Sequence, residues 1–220
     1  MKIFCLNLDR AKERRAIIQQ EWVENSGFDI EFFSAFDRRE LDLGNFPFPY
    51  DDQETRKLIG RSMSLGEIAC ASSHLMLLKH AIKCGHEEIV VMEDDVLPAE
   101  NTTPERMLEV IENSKKAFPH VSVLIMHHDD GEAVVTEKIE GINLLSFPPW
   151  GYRFVWLNRK AMNLLVSDLS MMHFPADFIW RKRFVQMKVL AMTEKPLALG
   201  DHKLSYIGND LRTGDKTFIP

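Results

Sequence analysis

The feature that most constrains this fold is an apolar run that ends in three carboxylates. Residues 89–92 have the length and β-branched content of a buried parallel strand, and Glu93, Asp94 and Asp95 follow directly. Acids at the carboxyl end of such a strand face the ligand crevice of an open α/β sheet. The repulsion between adjacent carboxylates is costly unless a cation lies among them, and oxygen ligands suit Mg²⁺ or Mn²⁺. The pattern predicts a metal site; the alternative is a solvated turn.

Apolar runs of strand length alternate with helical patterns, which predicts an α/β sheet. Because no repeat or clear linker interrupts the pattern, we expect one domain over residues 1–220. Residues 37–62, which contain several Asp, Arg and Pro, are expected to form a long loop. Strands are predicted over 2–8, 29–34, 89–92, 121–126, 134–145, 154–157 and 189–192, and helices over 10–23, 64–85, 104–117, around 158–167, and 177–187.

The helix after residue 64 carries its own start signal. Ser64 with Glu67 three residues later is the pattern of a capping box, and Gly85 marks the end. His74 lies on this helix, where a single histidine more often supports a site by packing than catalyses. We therefore expect Glu67 and His74 to support the site.

Charge and cysteine content restrict the partners and the compartment. The chain has 27 Lys+Arg against 33 Asp+Glu, a formal net charge of −6, which argues against a nucleic-acid partner. Cys5, Cys70 and Cys84 lie in apolar segments without metal-type spacing, so we expect reduced thiols and a cytoplasmic protein. The apolar start is too short for a signal peptide and no later run is long enough to span a bilayer. Membrane contact is expected to be at most peripheral, at the inner face.

Polar residues at the end of the first predicted strand form a second candidate group. Asn7, Asp9 and Arg10 lie there, and Arg14 follows one helical turn after Arg10. Both arginines can therefore face the same side and bind a phosphate. The alternative is a solvated face of salt bridges.

Several blocks in a fixed order carry a family resemblance. They are IFCLNLDR at residues 3–10 with Arg14 and Arg15 following, SLGEIACASSH at 64–74 and VVMEDDV at 90–96, with weaker blocks at 151–165 and 175–177. Together they resemble glycosyltransferase family 25, the lipooligosaccharide and collagen galactosyltransferase type. The family usually has a Gln after its late strand, whereas this chain has LGDH at 199–202, so the tail departs from the pattern.

The resemblance implies a glycosyltransferase A-type, Rossmann-like α/β fold with a mixed, mostly parallel central sheet. Residues 1–100 would form the nucleotide-sugar and metal half, and residues 101–220 the acceptor half and tail. Asp95 would be a direct ligand of Mn²⁺ or Mg²⁺, with Asp94 near the metal or the ribose and Glu93 beside the cofactor. The implied reaction is inverting transfer of a hexose from a UDP-sugar to a saccharide or lipid-linked saccharide in surface-glycan biosynthesis. Galactose is the first candidate for the hexose.

Residues for the acceptor side are predicted in the second half of the chain. Inverting transfer needs a base for the acceptor hydroxyl, and Asp177 is the first candidate, with Asp129 and Asp130 as its competitors. Each has an ordinary alternative role, as an N-cap or in a turn. Tyr152 is a candidate to stack on a sugar ring, or else packs on the core, and His202 is a candidate late metal ligand.

Two other functions compete with the transferase. A Mg²⁺-binding phospho-acceptor receiver domain also has acids at strand ends. However, that fold has no counterpart for residues 1–85 and does not explain the first two blocks. A catalytically inactive sugar-nucleotide-fold protein would keep the same blocks, and only activity separates it from an enzyme.

Overall fold

The computed structural model describes residues 1–42, 48–128, 133–147, 151, 153–176 and 189–200, and strands and helices alternate along them. The helices are α1 (Lys12–Ile18), α2 (Asp52–Ile59), α3 (Leu65–Lys83), α4 (Pro104–Ala117) and α5 (Arg159–Leu169). The strands are β1 (Lys2–Asn7), β2 (Ile30–Ser34), β3 (Glu88–Glu93), β4 (Val96–Pro98), β5 (Val123–Ile125), β6 (His127–His128), β7 (Val134–Ile139), β8 (Ile142–Phe147), β9 (Phe154–Asn158), β10 (Leu190–Thr193) and β11 (Ala198–Gly200).

Eight of the described strands form the central sheet, in the order β2-β1-β3-β9-β5-β10-β8-β7. β1 pairs in parallel with β2 and β3, and β5 pairs in parallel with β10. β9 runs antiparallel to both β3 and β5, and β8 runs antiparallel to both β10 and β7. All of these strands except β8 and β9 therefore point the same way, as expected for a mixed, mostly parallel sheet.

A second, three-stranded sheet has the order β4-β11-β6. Its strands are two or three residues long, and sequence patterning did not predict them. β4 begins directly after the acid triplet, because only Asp94 and Asp95 separate it from β3. The chain therefore leaves the large sheet and enters the small one at the position of the carboxylates.

Both faces of the central sheet are buried at β1, β3, β5, β9 and β10, as their apolar sequences predict, whereas the edge strand β7 is exposed. Successive residues of β3 point to opposite faces: Val91 joins the core cluster that includes Leu75 of α3 and Leu165 of α5. Val90 joins the cluster on the other face, which includes Trp22. Trp22 lies in a π-helical extension of α1 and donates its indole N–H to the Val96 carbonyl at 3.0 Å.

α3 begins and packs as its sequence predicts. The Ser64 hydroxyl accepts from the Glu67 N–H at 3.2 Å, and the Glu67 carboxylate accepts from the Ser64 N–H at 2.8 Å. This reciprocal capping box satisfies two N–H groups that the first helical turn leaves unpaired. Within the described residues, neither α3 nor any other helix combines the length and the apolar character that a membrane span requires.

The loop predicted over residues 37–62 is partly wrong, because α2 lies within it. The Asp51 side chain caps α2 by accepting from the Glu54 N–H at 2.9 Å, and Gly60 ends it in the left-handed region, with φ at 76°. Only Thr55 of this helix is buried. α2 therefore lacks the apolar stripe by which a helix is recognised in a sequence.

Candidate active site

The acid triplet lies where the carboxyl ends of β1 and β3 meet. The two strands pair in parallel with Leu6 opposite Glu93, so Asn7 ends β1 beside the triplet. The Asn7 amide donates a hydrogen bond to Asp94 Oδ2 at 2.6 Å, and the asparagine is buried. The parallel register of two strands thus explains why residues 87 positions apart come into contact.

Asp94 is bound by two neighbouring side chains. Asn7 donates to Oδ2, while the Arg14 guanidinium of α1 donates to Oδ1. Burial raises the pKa of Asp94 above its ordinary value, although the charge and hydrogen bond of Arg14 oppose this shift. Both carboxylate oxygens already accept from protein donors, so Asp94 fixes the orientation of Arg14 at the cleft.

Asp95 differs from Asp94 in its hydrogen bonding. The residue is 5% exposed, and its Oδ1 has no hydrogen-bond partner among the described residues. Oδ2 lies 3.9 Å from the Arg153 guanidinium Nε. Burial, followed by repulsion from Glu93, raises the pKa of Asp95 to about 7. A buried carboxylate oxygen without a donor is costly, and a hard divalent cation would satisfy it, so Asp95 fits the predicted role of a metal ligand.

Glu93 contacts two side chains of α3. Its Oε1 lies 3.0 Å from His74 Nε2 and 3.8 Å from Cys70 Sγ. Burial raises the pKa of Glu93, but the hydrogen bond and charge of His74, with further help from Arg153, lower it more, so the net shift is downward. His74 is 1% exposed, and this contact places it beside the acid triplet, as its predicted supporting role requires.

Asp37, which sequence analysis did not select, forms the opposite wall. It follows β2 by three residues and is 8% exposed. Its carboxylate accepts from Arg10 Nε at 2.5 Å and from the Arg39 guanidinium at 2.7 Å. Burial raises the pKa of Asp37, but hydrogen bonds from Arg39 and Arg10 hold it well below its usual range. The sequence signal was present, since Asp37 also follows the carboxyl end of a strand.

One cleft brings together most of the predicted residues that the structure describes. It is lined by residues of β1, α1 and the N-terminal half of α3, by the segments that follow β1 and β2, and by the triplet. The lining residues that were predicted from sequence are Arg10, Arg14, His74, Glu93, Asp94 and Asp95. Asn7 contacts Asp94 beside the cleft. Asp9 is exposed and lines a neighbouring recess, which shares Arg10 and Asp37 with the cleft.

Glu67 has a structural role instead of a place in the cleft wall. In addition to the capping box, it accepts two hydrogen bonds from the Arg61 guanidinium, at 2.6 and 2.8 Å. It therefore fixes the start of α3, the helix that carries Cys70 and His74, and its supporting role at the site stays a prediction. The predicted residues Asp129, Asp130, Tyr152, Asp177 and His202, and the helix predicted over 177–187, lie outside the described residues.

Residues 1–144 of this chain match the family model described as Glycosyltransferase family 25 (LPS biosynthesis protein). The chain belongs to glycosyltransferase family 25. The match includes every described residue of the cleft that was predicted from sequence, together with Asp37 and Cys70. The resemblance inferred from the sequence blocks is therefore confirmed.

Two curated relatives illustrate the range within the family. A glycosyltransferase 25 family member of Aedes aegypti is 36% identical over 101 residues, covering 43% of this chain and 16% of that protein. The inactive glycosyltransferase 25 family member 3 of Mus musculus is 24% identical over 186 residues, covering 80% of this chain and 30% of that protein. The chain thus covers less than a third of either relative.

A solved structure supports the fold. The crystal structure of a glycosyltransferase involved in the glycosylation of the major capsid of PBCV-1 superposes with a TM-score of 0.51 at 10% identity. The match covers 97% of this chain and 98% of that one. The predicted glycosyltransferase A-type α/β fold is therefore confirmed, while the division into donor and acceptor halves stays a prediction.

Proposed function

We propose that this chain is an inverting, metal-dependent glycosyltransferase that transfers a hexose from a UDP-sugar to a saccharide or lipid-linked saccharide acceptor. Galactose is the first candidate sugar, and the product belongs to lipooligosaccharide or another surface glycan. Family membership supports glycosyl transfer. One observation supports a metal and donor site at this cleft: Asp95 Oδ1 is buried there without a hydrogen-bond donor among the described residues. The proposed compartment is the cytoplasm, with at most peripheral membrane contact.

The arginines of the cleft would bind the diphosphate of the donor. Arg10 and Arg14 both line the cleft, and each is oriented by a buried carboxylate, Asp37 and Asp94 respectively. A guanidinium that is held in place loses less conformational entropy when it binds phosphate. The carboxylate beside each arginine offsets the positive charge of that arginine. The arginines would therefore orient the diphosphate more than they would neutralise it.

Asp95 is the residue proposed to hold Mn²⁺ or Mg²⁺, with Asp94 beside it. When bound, the cation would supply Lewis-acid stabilisation of the charge that develops on the diphosphate leaving group. Glu93 is held by His74 and Cys70, so its part would be to fix the strand end and contribute negative charge. The proposed base for the acceptor hydroxyl is Asp177, or else Asp130, since a carboxylate at neutral pH can accept this proton.

A catalytically inactive protein is the second candidate. The observation that favours it is the similarity, over 80% of this chain, to a mouse protein named as inactive. The receiver-domain alternative does not account for family membership or for residues 1–85, which supply β1, β2 and α3. Donor binding without transfer to any acceptor would favour the inactive candidate.

The test is calorimetric titration of UDP-galactose, UDP-glucose and UDP-N-acetylhexosamines into the purified protein, with Mn²⁺ and again with a chelator. We expect one donor to bind only when the metal is present. Asp95→Asn should abolish that binding, because the amide cannot provide a charged ligand oxygen. Asp29→Asn is the matched control, since the Asp29 side chain is 94% exposed at the amino end of β2. Equal donor affinity with and without metal would refute the proposed site.

A further inference from the structure

Three side chains of different chemistry converge beside the acid triplet. Cys70 and His74 lie one turn apart on α3, and Glu93 ends β3. Their potential ligand atoms, one thiol sulfur, one imidazole nitrogen and one carboxylate oxygen, all lie within 4.8 Å of one another. The usual explanation is a hydrogen-bonded buttress in which α3 anchors the strand end. In that explanation the Cys70 thiol donates a second, weak hydrogen bond to Glu93 at 3.8 Å, beside the shorter contact of His74.

Two of the three separations between ligand atoms come close to those in the coordination shell of a small metal ion, and the third, between Cys70 and His74, is within 4.8 Å. Zinc binds sulfur at about 2.3 Å and nitrogen or oxygen at about 2.0–2.2 Å, so tetrahedral ligand atoms lie about 3.3–3.6 Å apart. His74 Nε2 and Glu93 Oε1 are 3.0 Å apart, and Cys70 Sγ and Glu93 Oε1 are 3.8 Å apart. Shifts of about half an ångström would bring both pairs to tetrahedral spacing.

The chemistry of the set selects a different metal from the one proposed at Asp95. Thiolate and imidazole are ligands for zinc, whereas Mg²⁺ and Mn²⁺ prefer oxygen donors. All three side chains line the cleft, so an ion from solvent can reach them. We propose that Cys70, His74 and Glu93 form a three-ligand Zn²⁺ site, separate from the oxygen-ligand site at Asp95. The thiol proton passes to solvent as the Zn–S bond forms, and the fourth ligand is water.

Cobalt provides the first test, because Co²⁺ replaces Zn²⁺ and a thiolate ligand gives a charge-transfer absorption band that oxygen ligands do not. The metal-free, reduced full-length protein is titrated with Co²⁺ alone and then with Zn²⁺. We expect a thiolate band that saturates at one equivalent and is abolished by Zn²⁺. Cys70→Ser should remove the band and weaken Zn²⁺ binding at least about tenfold, measured against a chromophoric chelator. A folded wild-type protein that gives no band would overturn the proposal.

Cys84→Ser is the matched control. Cys84 also lies one turn from a histidine, with its Sγ 3.6 Å from a His80 ring nitrogen, but it is exposed, and no carboxylate of the described residues completes a three-ligand cluster with it. This variant should keep the band, and loss of the band here instead of in Cys70→Ser would place the metal elsewhere. Asp95→Asn should also keep it, which separates this site from the proposed donor metal.

Alkylation of the wild-type protein tests the site without any substitution. Iodoacetamide labelling followed by mass spectrometry reports the two accessible thiols separately, since Cys5 is fully buried. Zinc at one equivalent should protect Cys70 while Cys84 reacts at an unchanged rate. Equal labelling of Cys70 with and without zinc would contradict the assignment even if the Cys70 variant did not fold.

Discussion

Replacing Asp95 by asparagine should stabilise the metal-free protein while removing its stabilisation by Mn²⁺. The two side chains have the same shape, but asparagine carries no charge. Asp95 is 5% exposed, and its Oδ1 has no donor among the described residues. The carboxylate therefore has a free-energy cost in the absence of a cation, and the substitution removes this cost.

The magnitude follows from the pKa. Burial raises the pKa of Asp95 from 3.8 to about 7, which is a shift of about three units, each worth about 1.4 kcal/mol. The ionised side chain thus costs on the order of 4 kcal/mol in the folded state. Because asparagine leaves a buried amide behind, we expect a net gain of about 1–3 kcal/mol in the free energy of unfolding. For a chain of this size, that raises Tm by about 2–10 °C.

The sign of the pH dependence is fixed by the direction of the shift. A folded-state pKa above the unfolded value means that the folded protein retains the Asp95 proton to higher pH than the unfolded chain does. The wild type therefore loses stability as pH rises from about 4 to about 7, and the variant does not share this loss. Its advantage should be largest at pH 8 and smaller at pH 5.

Urea unfolding in EDTA at these two pH values measures the difference, with Asp29→Asn as the exposed control. Adding Mn²⁺ at pH 8 should then stabilise the wild type, since a ligand that binds only the folded state raises its stability, and should not stabilise the variant. An Asp95→Asn protein that is less stable than the wild type in EDTA at pH 8 would refute the reasoning.

Three further substitutions test the framework around the site by urea unfolding. Asn7→Ala removes the donor to Asp94 Oδ2 and should cost about 1–3 kcal/mol. Leu75→Ala should cost about 2–5 kcal/mol, because Leu75 is fully buried and the truncation leaves a cavity. Glu67→Gln should cost about 1–2 kcal/mol at pH 7 through the weakened ion pair with Arg61. Since the folded-state pKa of Glu67 is lowered, this last difference should begin to shrink as pH falls below the ordinary glutamate pKa of 4.5 and should be lost at more acidic pH.

The strand that carries the acid triplet and the cap of α3 could be predicted from local sequence patterns. The apolar run before Glu93 identified the strand, and the general behaviour of parallel sheets placed its acids at the ligand crevice. The capping box of α3 was predicted for the same reason, because it depends on two residues three positions apart. Such features depend on neighbours in the chain, which the sequence shows directly.

Features that depend on distant pairing could not be predicted. The strand pattern of β9 was recognised, but nothing local to residues 154–158 specifies that it inserts between β3 and β5 with opposite direction. The contact of Cys70 with Glu93 likewise depends on how α3 crosses the sheet. α2 was missed because its segment has few apolar residues, and its structure is stabilised by caps and ion pairs instead.

The position of β9 has a consequence for how the chain folds during synthesis. β1, β2 and β3 can assemble early, but the open edge of β3, with the apolar Val90 and Val91, stays unpaired until residues 154–158 leave the ribosome. A fragment that ends at residue 144 contains every described side chain of the cleft but lacks the strand that covers this edge. The segment that carries the family signature is therefore expected to aggregate when expressed alone, so the functional unit in this chain extends beyond the region by which it is recognised.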